Sequence, residues 1–109
     1  MHNCVVLIGR LTEKPTLKKN DERGCMTSLN LAVQREYKDE DGKYDTDFIR
    51  CVLFNSVAEN LCEWCSVGDL ISVKGRLQNR TYKNEQDENK HITEVLVERV
   101  CFLTSKKVS

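Results

Sequence analysis

The fold of this chain is decided by one stretch near its middle, Phe48-Ile49-Arg50-Cys51-Val52-Leu53-Phe54. Its apolar and β-branched residues are typical of a strand, in which successive side chains point to opposite faces. One face then carries Ile49, Cys51 and Leu53, which suits a core. The other carries two phenylalanines around Arg50, and a single-stranded nucleic acid uses both residue types, because bases stack on aromatic rings and phosphates pair with arginine. The alternative is a strand that is buried on both faces, with Arg50 near a rim.

The length and the net charge of the chain limit the classes of protein to which it can belong. The chain has 109 residues, which is enough for one domain with its own core. No apolar run approaches the ~20 residues of a membrane span, and residues 1–4 do not resemble a secretory signal, so we expect a cytoplasmic protein without a membrane partner. The net charge of zero argues weakly against nucleic acid, so the placement of the charges matters more than their sum.

Six cysteines raise the question of disulfides or a metal site. Cys4, Cys51 and Cys101 lie in apolar runs with strand character, where free cysteine behaves as a small hydrophobe. Without an export signal, reduced thiols are expected. Cys62 and Cys65 have the C-x-x-C spacing of redox and zinc sites, but no second pair exists for zinc and no strand-to-helix context for a redox site. We therefore expect neither a metal nor a cofactor.

The first strand is predicted over residues 4–11. Its unbroken apolar run requires cover on both faces, either from the core and a helix or from another subunit. An edge strand this apolar invites pairing with another chain. We therefore predict an oligomer interface that consists of Cys4, Val5, Val6, Leu7 and Ile8. Residues 12–24, which are polar and include Pro15, are expected to form a connection that ends in a turn at residues 21–24.

The next elements are a strand with a period of two and a helix, and each ends at a recognisable turn. Residues 26–34 alternate as a half-buried strand and lead through Tyr37 into a charged hairpin with Asp-Gly at its turn. After Phe54 the period becomes helical, with a capping box at Ser56 and Glu59 and apolar residues up to Cys65. Gly68 is a plausible terminator of this helix.

The C-terminal third is predicted to be a hairpin of two long strands around a polar loop at residues 83–90. Residues 70–82 alternate between an apolar face and a polar face, and the apolar face consists of Ile71, Val73, Gly75 and Leu77. The polar face includes Lys74, Arg76, Arg80 and Tyr82. The last strand covers residues 92–103, and its core candidates are Val95, Val97, Val100 and Phe102.

Five strands with one short helix between the third and fourth predict an all-β protein, the OB-fold β-barrel. This fold binds oligonucleotides or oligosaccharides on its second and third strands and on its hairpin loops. We assign residues 1–104 to an OB-fold single-stranded DNA-binding domain and residues 105–109 to a frayed tail. The candidate nucleic-acid-binding residues are Tyr37, Phe48, Arg50, Phe54, Lys74, Arg76, Arg80 and Tyr82.

The sequence over residues 4–103 resembles the bacterial single-stranded DNA-binding proteins. The resemblance rests on VLIGRLT at residues 6–12, TDFIRCVLF at 46–54, GRLQNRTY at 75–82 and TEV at 93–95. It implies homotetramers around which single-stranded DNA wraps, with bases stacked on Tyr37, Phe48, Phe54 and Tyr82. It also implies a nucleoid-associated role in replication, recombination, repair or DNA uptake.

The sequence departs from this family's pattern in three places. Members often carry tryptophan at three of the stacking positions, where this chain has phenylalanine or tyrosine. Two basic residues commonly precede the glycine after the helix, and Ser66 and Val67 stand there instead. Members usually continue into a tail with an acidic tip that recruits replication and repair proteins. This sequence ends at Ser109, close to two lysines, so such recruitment is not expected.

Three other functions compete with this interpretation. A primosome-type replication-restart OB protein has a similar length but binds DNA mainly through basic loops. An RNA-binding OB module of the cold-shock type is shorter and spaces its aromatic residues differently. An enzyme is the third, but the only histidines are His2 and His91, and no nucleophile–base pair or carboxylate cluster is recognisable, so no enzymatic activity is expected.

Overall fold

The computed structural model of the chain describes residues 2–20 and 24–104. The predicted tail at residues 105–109 lies outside the described residues, as do three of the four positions of the turn predicted at residues 21–24. Within the described residues the elements are β1 (Val5–Leu11), β2 (Lys18–Asn20), β3 (Gly24–Lys38), β4 (Tyr44–Phe54), α1 (Asn55–Trp64), β5 (Leu70–Lys83) and β6 (Asn89–Thr104).

Five long strands close into a barrel in the order β1-β5-β6-β4-β3, and β3 returns to β1. All these pairings are antiparallel except the short parallel contact of β4 with β6, where Cys51 faces Val95. The barrel closes where Arg10 and Leu11 of β1 pair with β3. The predicted OB-fold is thus confirmed, with α1 between the third and fourth long strands. The predicted connection over residues 12–24 was wrong in one respect, because it contains the three-residue strand β2, which pairs with β3.

The core is formed by the inward faces of the strands and one side of α1. Cys51 and Leu53 of β4 are fully buried, and Ile49 packs against the same cluster, as the alternation of the opening stretch predicted. Leucine, isoleucine and valine side chains from the neighbouring strands complete the cluster, because the period of two turns every second residue inward. Ala58 and Leu61 of α1 cover one end of the barrel.

Two core predictions in the C-terminal hairpin were wrong. The β5–β6 register steps from Lys74↔Arg99 to Gly75↔Val97, so Glu98 is an extra residue in β6, and this bulge turns Val100 toward the core. Phe102 continues on that face, opposite the buried Ile71, but it lies near the end of β6 in a groove beside Trp64 of α1 and is exposed. Leu77 is also exposed because β5 has by then passed the end of β1 and leaves the barrel as one arm of a hairpin.

The predicted capping box is also wrong. The cap residue of α1 is Phe54, and no side chain caps the helix. Ser56 lies in the first turn of the helix, and the Glu59 carboxylate accepts a hydrogen bond from the Cys25 thiol at 3.4 Å. The helix ends at Trp64, before Gly68. Among the described residues, no helix has the length and apolar character needed to cross a membrane.

Candidate nucleic-acid interface

Large aromatic side chains stand on the outer face of β4. Phe48 is 65% exposed and Phe54 is 42% exposed, while the alternate residues Cys51 and Leu53 fill the core. Opposite them on β3 are Ala32, paired with Phe48, and Met26, paired with Phe54. Burial of apolar surface does not explain two phenylalanines that water can reach. Their rings are therefore available to stack on planar groups from outside.

Tyr37 and Tyr82 extend the aromatic surface along the two hairpins. Tyr37 is 70% exposed near the end of β3, and Tyr82 is 46% exposed near the end of β5. Both hairpins project beyond the point where the barrel closes, because β3–β4 and β5–β6 continue to pair after their other neighbours have ended. The sequence predicted both positions, and the structure places both tyrosines on these projecting arms.

The two hairpin tips share one turn design and are strongly acidic. In each, an Asp or Asn side chain accepts two backbone N–H bonds across the loop: Asp39 from Asp41 and Lys43, and Asn84 from Gln86 and Glu88. Acidic residues crowd these tips, while the arginines lie on the strands. Although the net charge is zero, negative charge is concentrated at the tips and positive charge on the strands. Anions are therefore favoured on the strand face rather than at the tips.

A buried carboxylate links the two arginines predicted to bind DNA. Glu94 of β6 has a side chain that is only 1% exposed. Arg50 Nε donates to its Oε2 at 3.0 Å, and Arg80 Nε donates to its Oε1 at 3.3 Å. Gln78 Nε2 donates to the same Oε1 at 3.2 Å. The structure thus brings Arg50 and Arg80 together from the strands on either side of β6, around an acid that sequence reasoning did not single out.

Burial by itself would raise the pKa of Glu94, but the hydrogen bonds from Arg50, Gln78 and Arg80 outweigh that effect and hold the pKa below its ordinary value of 4.5. The ionised form is therefore the one that the fold stabilises. Because the folded-state pKa is depressed, this stabilisation is fully present above pH 4.5 and is lost as the pH falls through the lower folded-state pKa.

We accordingly expect the melting temperature to fall when the pH is lowered from about 5 toward 3. The fall should be smaller in Glu94→Gln, which cannot titrate at this position. Thermal unfolding followed by circular dichroism across this range measures both slopes. Equal slopes in the two proteins would assign the acid sensitivity to other carboxylates, first of all Asp47, whose pKa is lowered by the hydrogen bonds from Arg35.

The remaining predicted cations do not join this network. Arg76 pairs in register with Leu96 and is exposed. Lys74 lies between Val6 of β1 and Arg99 of β6, so its neighbourhood is the outer face of β1 and not the phenylalanines of β4. The candidate interface is therefore centred on Arg50 and Arg80, with Arg76 next along β5 and Lys74 at its margin.

The predicted interface strand β1 has an incompletely paired edge. Its residues pair with β5 from Val5 to Arg10, but with β3 only at Arg10 and Leu11. Val6 is 61% exposed and Ile8 is 55% exposed. Cys4 is exposed, whereas Val5 and Leu7 pack against the core. Shallow grooves open along this edge toward Val33, Gln34 and Tyr37.

Three of the cysteines are buried packing residues, Cys25, Cys51 and Cys65, whereas Cys4 and Cys101 are exposed. Burial raises the pKa of Cys51 to about 11, and burial, with the nearby Asp69 and Cys62, raises the pKa of Cys65. All six thiols are free. No group of histidine, cysteine and acidic side chains that could hold a metal ion occurs in the part of the chain that the structure describes. The expectation of no metal and no cofactor remains a prediction.

Counting register from the predicted loop comes within one residue of the network around Glu94. Outward from a loop at residues 83–90, hairpin pairing places Asn79 opposite Glu94, whereas the observed partner is Gln78, because the strands continue to the pair Lys83↔Asn89. Glu94 also alternates with the inward-facing Val95, so it belongs to the outer face with the cations. An acid at that position is a candidate partner for Arg80. The contact of Arg50 with Glu94 could not be predicted in this way, because β4 pairs with β6 through a parallel contact between distant parts of the chain.

Comparisons with known proteins agree with this geometry. A model of the single-strand binding protein family matches residues 2–103. Single-stranded DNA-binding protein B of Bacillus subtilis is 39% identical over 106 residues, which are 97% of this chain and 94% of that protein. Single-stranded DNA-binding protein 1 of Streptococcus pyogenes is 43% identical over 106 residues, which are 97% of this chain and 82% of that protein.

A solved structure of the Plasmodium falciparum SSB complex with ssDNA superposes with a TM-score of 0.81 at 25% identity. The match covers 94% of this chain and 96% of that chain. Family, relatives and fold thus point the same way over nearly the whole sequence. The chain belongs to the single-strand binding protein family.

Proposed function

We propose that this chain binds single-stranded DNA with little sequence preference, through base stacking on Phe48, Phe54, Tyr37 and Tyr82. The observation that carries the proposal is the outer face of β4, where exposed Phe48 and Phe54 flank a half-buried arginine whose neighbour Cys51 is buried on the opposite face. Every base has a face that stacks on an aromatic ring, so this contact tolerates any sequence. Membership of a family of non-enzymatic DNA-binding proteins supports the same conclusion.

Phosphate contacts complete the proposed site. Arg50, Arg76 and Arg80 lie on the same outer surface as the stacking rings, and Lys74 lies at its margin. Arginine and lysine that neutralise phosphates make binding dependent on salt. A protein of this kind coats and protects single strands during replication, recombination, repair or DNA uptake. Its DNA ligand places it in the cytoplasm with the nucleoid.

Assembly into a homotetramer is part of the proposal. The support is the edge of β1, whose exposed Val6 and Ile8 and partly unpaired backbone provide a template for a strand from a second copy. Closed symmetric assemblies are the usual outcome of such self-pairing. Several barrels in one particle would let one DNA strand visit several stacking surfaces, which increases avidity without any new type of contact.

A competition titration tests the function. Fluorescently labelled oligo-dT of graded length is bound to the protein at low salt, and unlabelled dT, mixed-sequence single strands, duplex DNA and RNA of equal length compete. We expect similar displacement by both single-stranded DNAs and weak displacement by duplex. Preferential displacement by RNA would favour the RNA-binding OB module, and equal displacement by duplex would favour a primosome-type protein that binds through basic loops.

Salt dependence tests the phosphate contacts. For single strands the slope of log K against log salt changes by about 0.7 for each phosphate contact. Arg76→Gln and Arg80→Gln are each expected to flatten the slope by about that amount, while Lys14→Gln, in the connection between β1 and β2, should leave it unchanged. Fluorescence titrations at several salt concentrations give the slopes. If the salt slope of one of these two arginine variants equals that of the wild type, the arginine replaced in that variant does not contact phosphate.

A further inference from the structure

We propose that Glu94 is a positioning residue of the DNA interface: its buried carboxylate holds Arg50 and Arg80 by their Nε atoms, so that the Nη ends of both guanidinium groups face the phosphate backbone. This inference rests on the proposed function, because it assumes that single-stranded DNA lies on the outer face of β4 and β5. It concerns an acidic residue within an interface for an anionic ligand, which charge alone would disfavour.

The Glu94 carboxylate is more buried and accepts more hydrogen bonds than the carboxylate of an ordinary surface ion pair. Both Glu94 oxygens accept hydrogen bonds, Oε2 from Arg50 and Oε1 from Arg80 and Gln78. Its side chain is 1% exposed, although the neighbouring Val95 points into the barrel and Glu94 therefore points outward. The two arginine side chains themselves cover it. A buried charge is tolerated only with such compensation, so the arginines and the acid form one unit.

The contacts to Glu94 leave the Nη donors of Arg50 and Arg80 available for other partners. Each guanidinium has five N–H donors in a fixed fork, and in both residues the contact to Glu94 uses Nε. Within residues 2–20 and 24–104, no other hydrogen bond or ion pair of these two guanidinium groups is seen. Arg50 is 34% exposed and Arg80 is 50% exposed. The Nη donors are thus solvent-accessible in orientations that the carboxylate fixes.

The position of the unit suits a strand that stacks on β4. Phe48 and Phe54 are six residues apart, about 20 Å along a strand, and Arg50 lies between them on the same face. A strand that stacks bases on both rings must carry its intervening phosphates past this point. A fork held in advance loses less side-chain entropy when it binds a phosphate than a free arginine does.

The net charge of the two arginines and Glu94 makes electrostatics and positioning predict opposite effects of replacing Glu94 on DNA affinity. At neutral pH two guanidinium groups and one carboxylate sum to a single positive charge. Glu94→Gln adds one positive charge to the protein while keeping the shape of the side chain. Simple electrostatics therefore predicts tighter DNA binding by this variant. Positioning predicts weaker binding, because the two arginines lose the anchor that orients them and repel each other.

The experiment compares two informative variants with two matched controls. Glu94→Gln removes the anchor, and Glu98→Gln makes the same charge change at an exposed position of the same strand. Arg50→Lys keeps the charge at the anchored position, and Arg99→Lys does so at an exposed position of β6 with no ion pair in the described part of the chain. For each, oligo-dT affinity, its salt slope and the thermal melt are measured on the full chain.

We expect Glu94→Gln to melt cooperatively, to bind oligo-dT about 10-fold or more weakly and to show a slope flattened by about 0.7. Glu98→Gln should bind as well as wild type or slightly better. Arg50→Lys should weaken binding by a similar factor, because a single ammonium that pairs with Glu94 has no second set of donors for phosphate, whereas Arg99→Lys should stay near wild type.

Unchanged or tighter binding by a folded Glu94→Gln variant, with a steeper slope, would overturn the proposal and make Glu94 a simple neutraliser of charge. If Glu94→Gln does not fold, Arg50→Lys decides, and wild-type affinity in that variant overturns the proposal. Failure of the proposed function is a separate result, since it appears as a wild-type protein that does not bind oligo-dT at all.

Discussion

Replacing Phe48 and Phe54 together by alanine is expected to weaken single-strand binding by a factor of at least about 25, without loss of the cooperative fold. Stacking of a base on an aromatic ring contributes ~1–3 kcal/mol, so each substitution alone should cost about 5- to 150-fold in affinity. The two sites lie about 20 Å apart along the strand, so their effects should add in free energy. Fluorescence anisotropy with oligo-dT measures the loss.

The fold should survive because both rings are exposed and the core residues of β4 are on its other face. Phe102→Ala is the matched control, since it removes the same side chain from an exposed position on β6, next to Trp64 of α1. It should bind oligo-dT as wild type does. A double variant that loses its cooperative melt would instead make these phenylalanines part of the core, and the stacking interpretation would fail.

A charge on the exposed side of β1 is expected to break the assembly. Wild type should sediment as a tetramer at micromolar concentration, and Val6→Lys with Ile8→Lys should give a smaller species, because lysine on an edge strand opposes pairing. Loss of multivalency should weaken binding to a long dT strand by about 100-fold or more, while binding to a strand that spans one barrel changes little.

Val67→Lys is the control for this substitution. Val67 is 55% exposed, close to the value for Ile8, but it lies in the turn after α1. The same charge there should leave both the mass and the affinity unchanged. A wild-type protein that sediments as a monomer would contradict the role given to β1, and the exposed Val6 and Ile8 would then need another explanation.

The barrel was predictable because its strands obey a simple period. Ile49, Cys51 and Leu53 share the core-facing side of β4, with Phe48 and Phe54 exposed on the other side, although Val52 there is buried. The change to helical spacing after Phe54 marks α1. The errors arose near the ends of strands, where the neighbouring elements that would cover a side chain stop. Phe102 shares the face of Val100, but it lies near the end of β6 beside Trp64 and stays exposed, which the period alone does not indicate.

The helix starts two residues earlier than the capping box predicts. Ser56 and Glu59 have the right spacing, but Phe54 is the cap residue and Ser56 lies in the first turn, while the Glu59 carboxylate accepts a hydrogen bond from Cys25 of β3. Sequence patterns describe what a residue can do locally. They do not contain the long-range neighbour that uses the same atoms, and the same limit applies to short strand β2, which exists only because β3 lies beside it.

The candidate site was predictable as a surface but not as a network. Alternation alone put Phe48, Arg50 and Phe54 on one face and Arg80 with Tyr82 on another strand. It could not show that β4 and β5 are separated only by β6, or that Glu94 on β6 would anchor an arginine from each side. Lys74 illustrates the converse, since it shares the strand face of Arg76 and Arg80 yet lies beside Val6.

Photocrosslinking tests the central claim, that single-stranded DNA lies on the outer face of β4, most directly. An oligo-dT strand in which iododeoxyuridine replaces single thymines is bound to the wild-type protein and irradiated, and the attached peptides are identified by mass spectrometry. We expect adducts at Phe48 and Phe54, with further adducts at Tyr37 or Tyr82 on longer strands. Adducts confined to Trp64 and Phe102, at the α1 side of the barrel, would contradict the account.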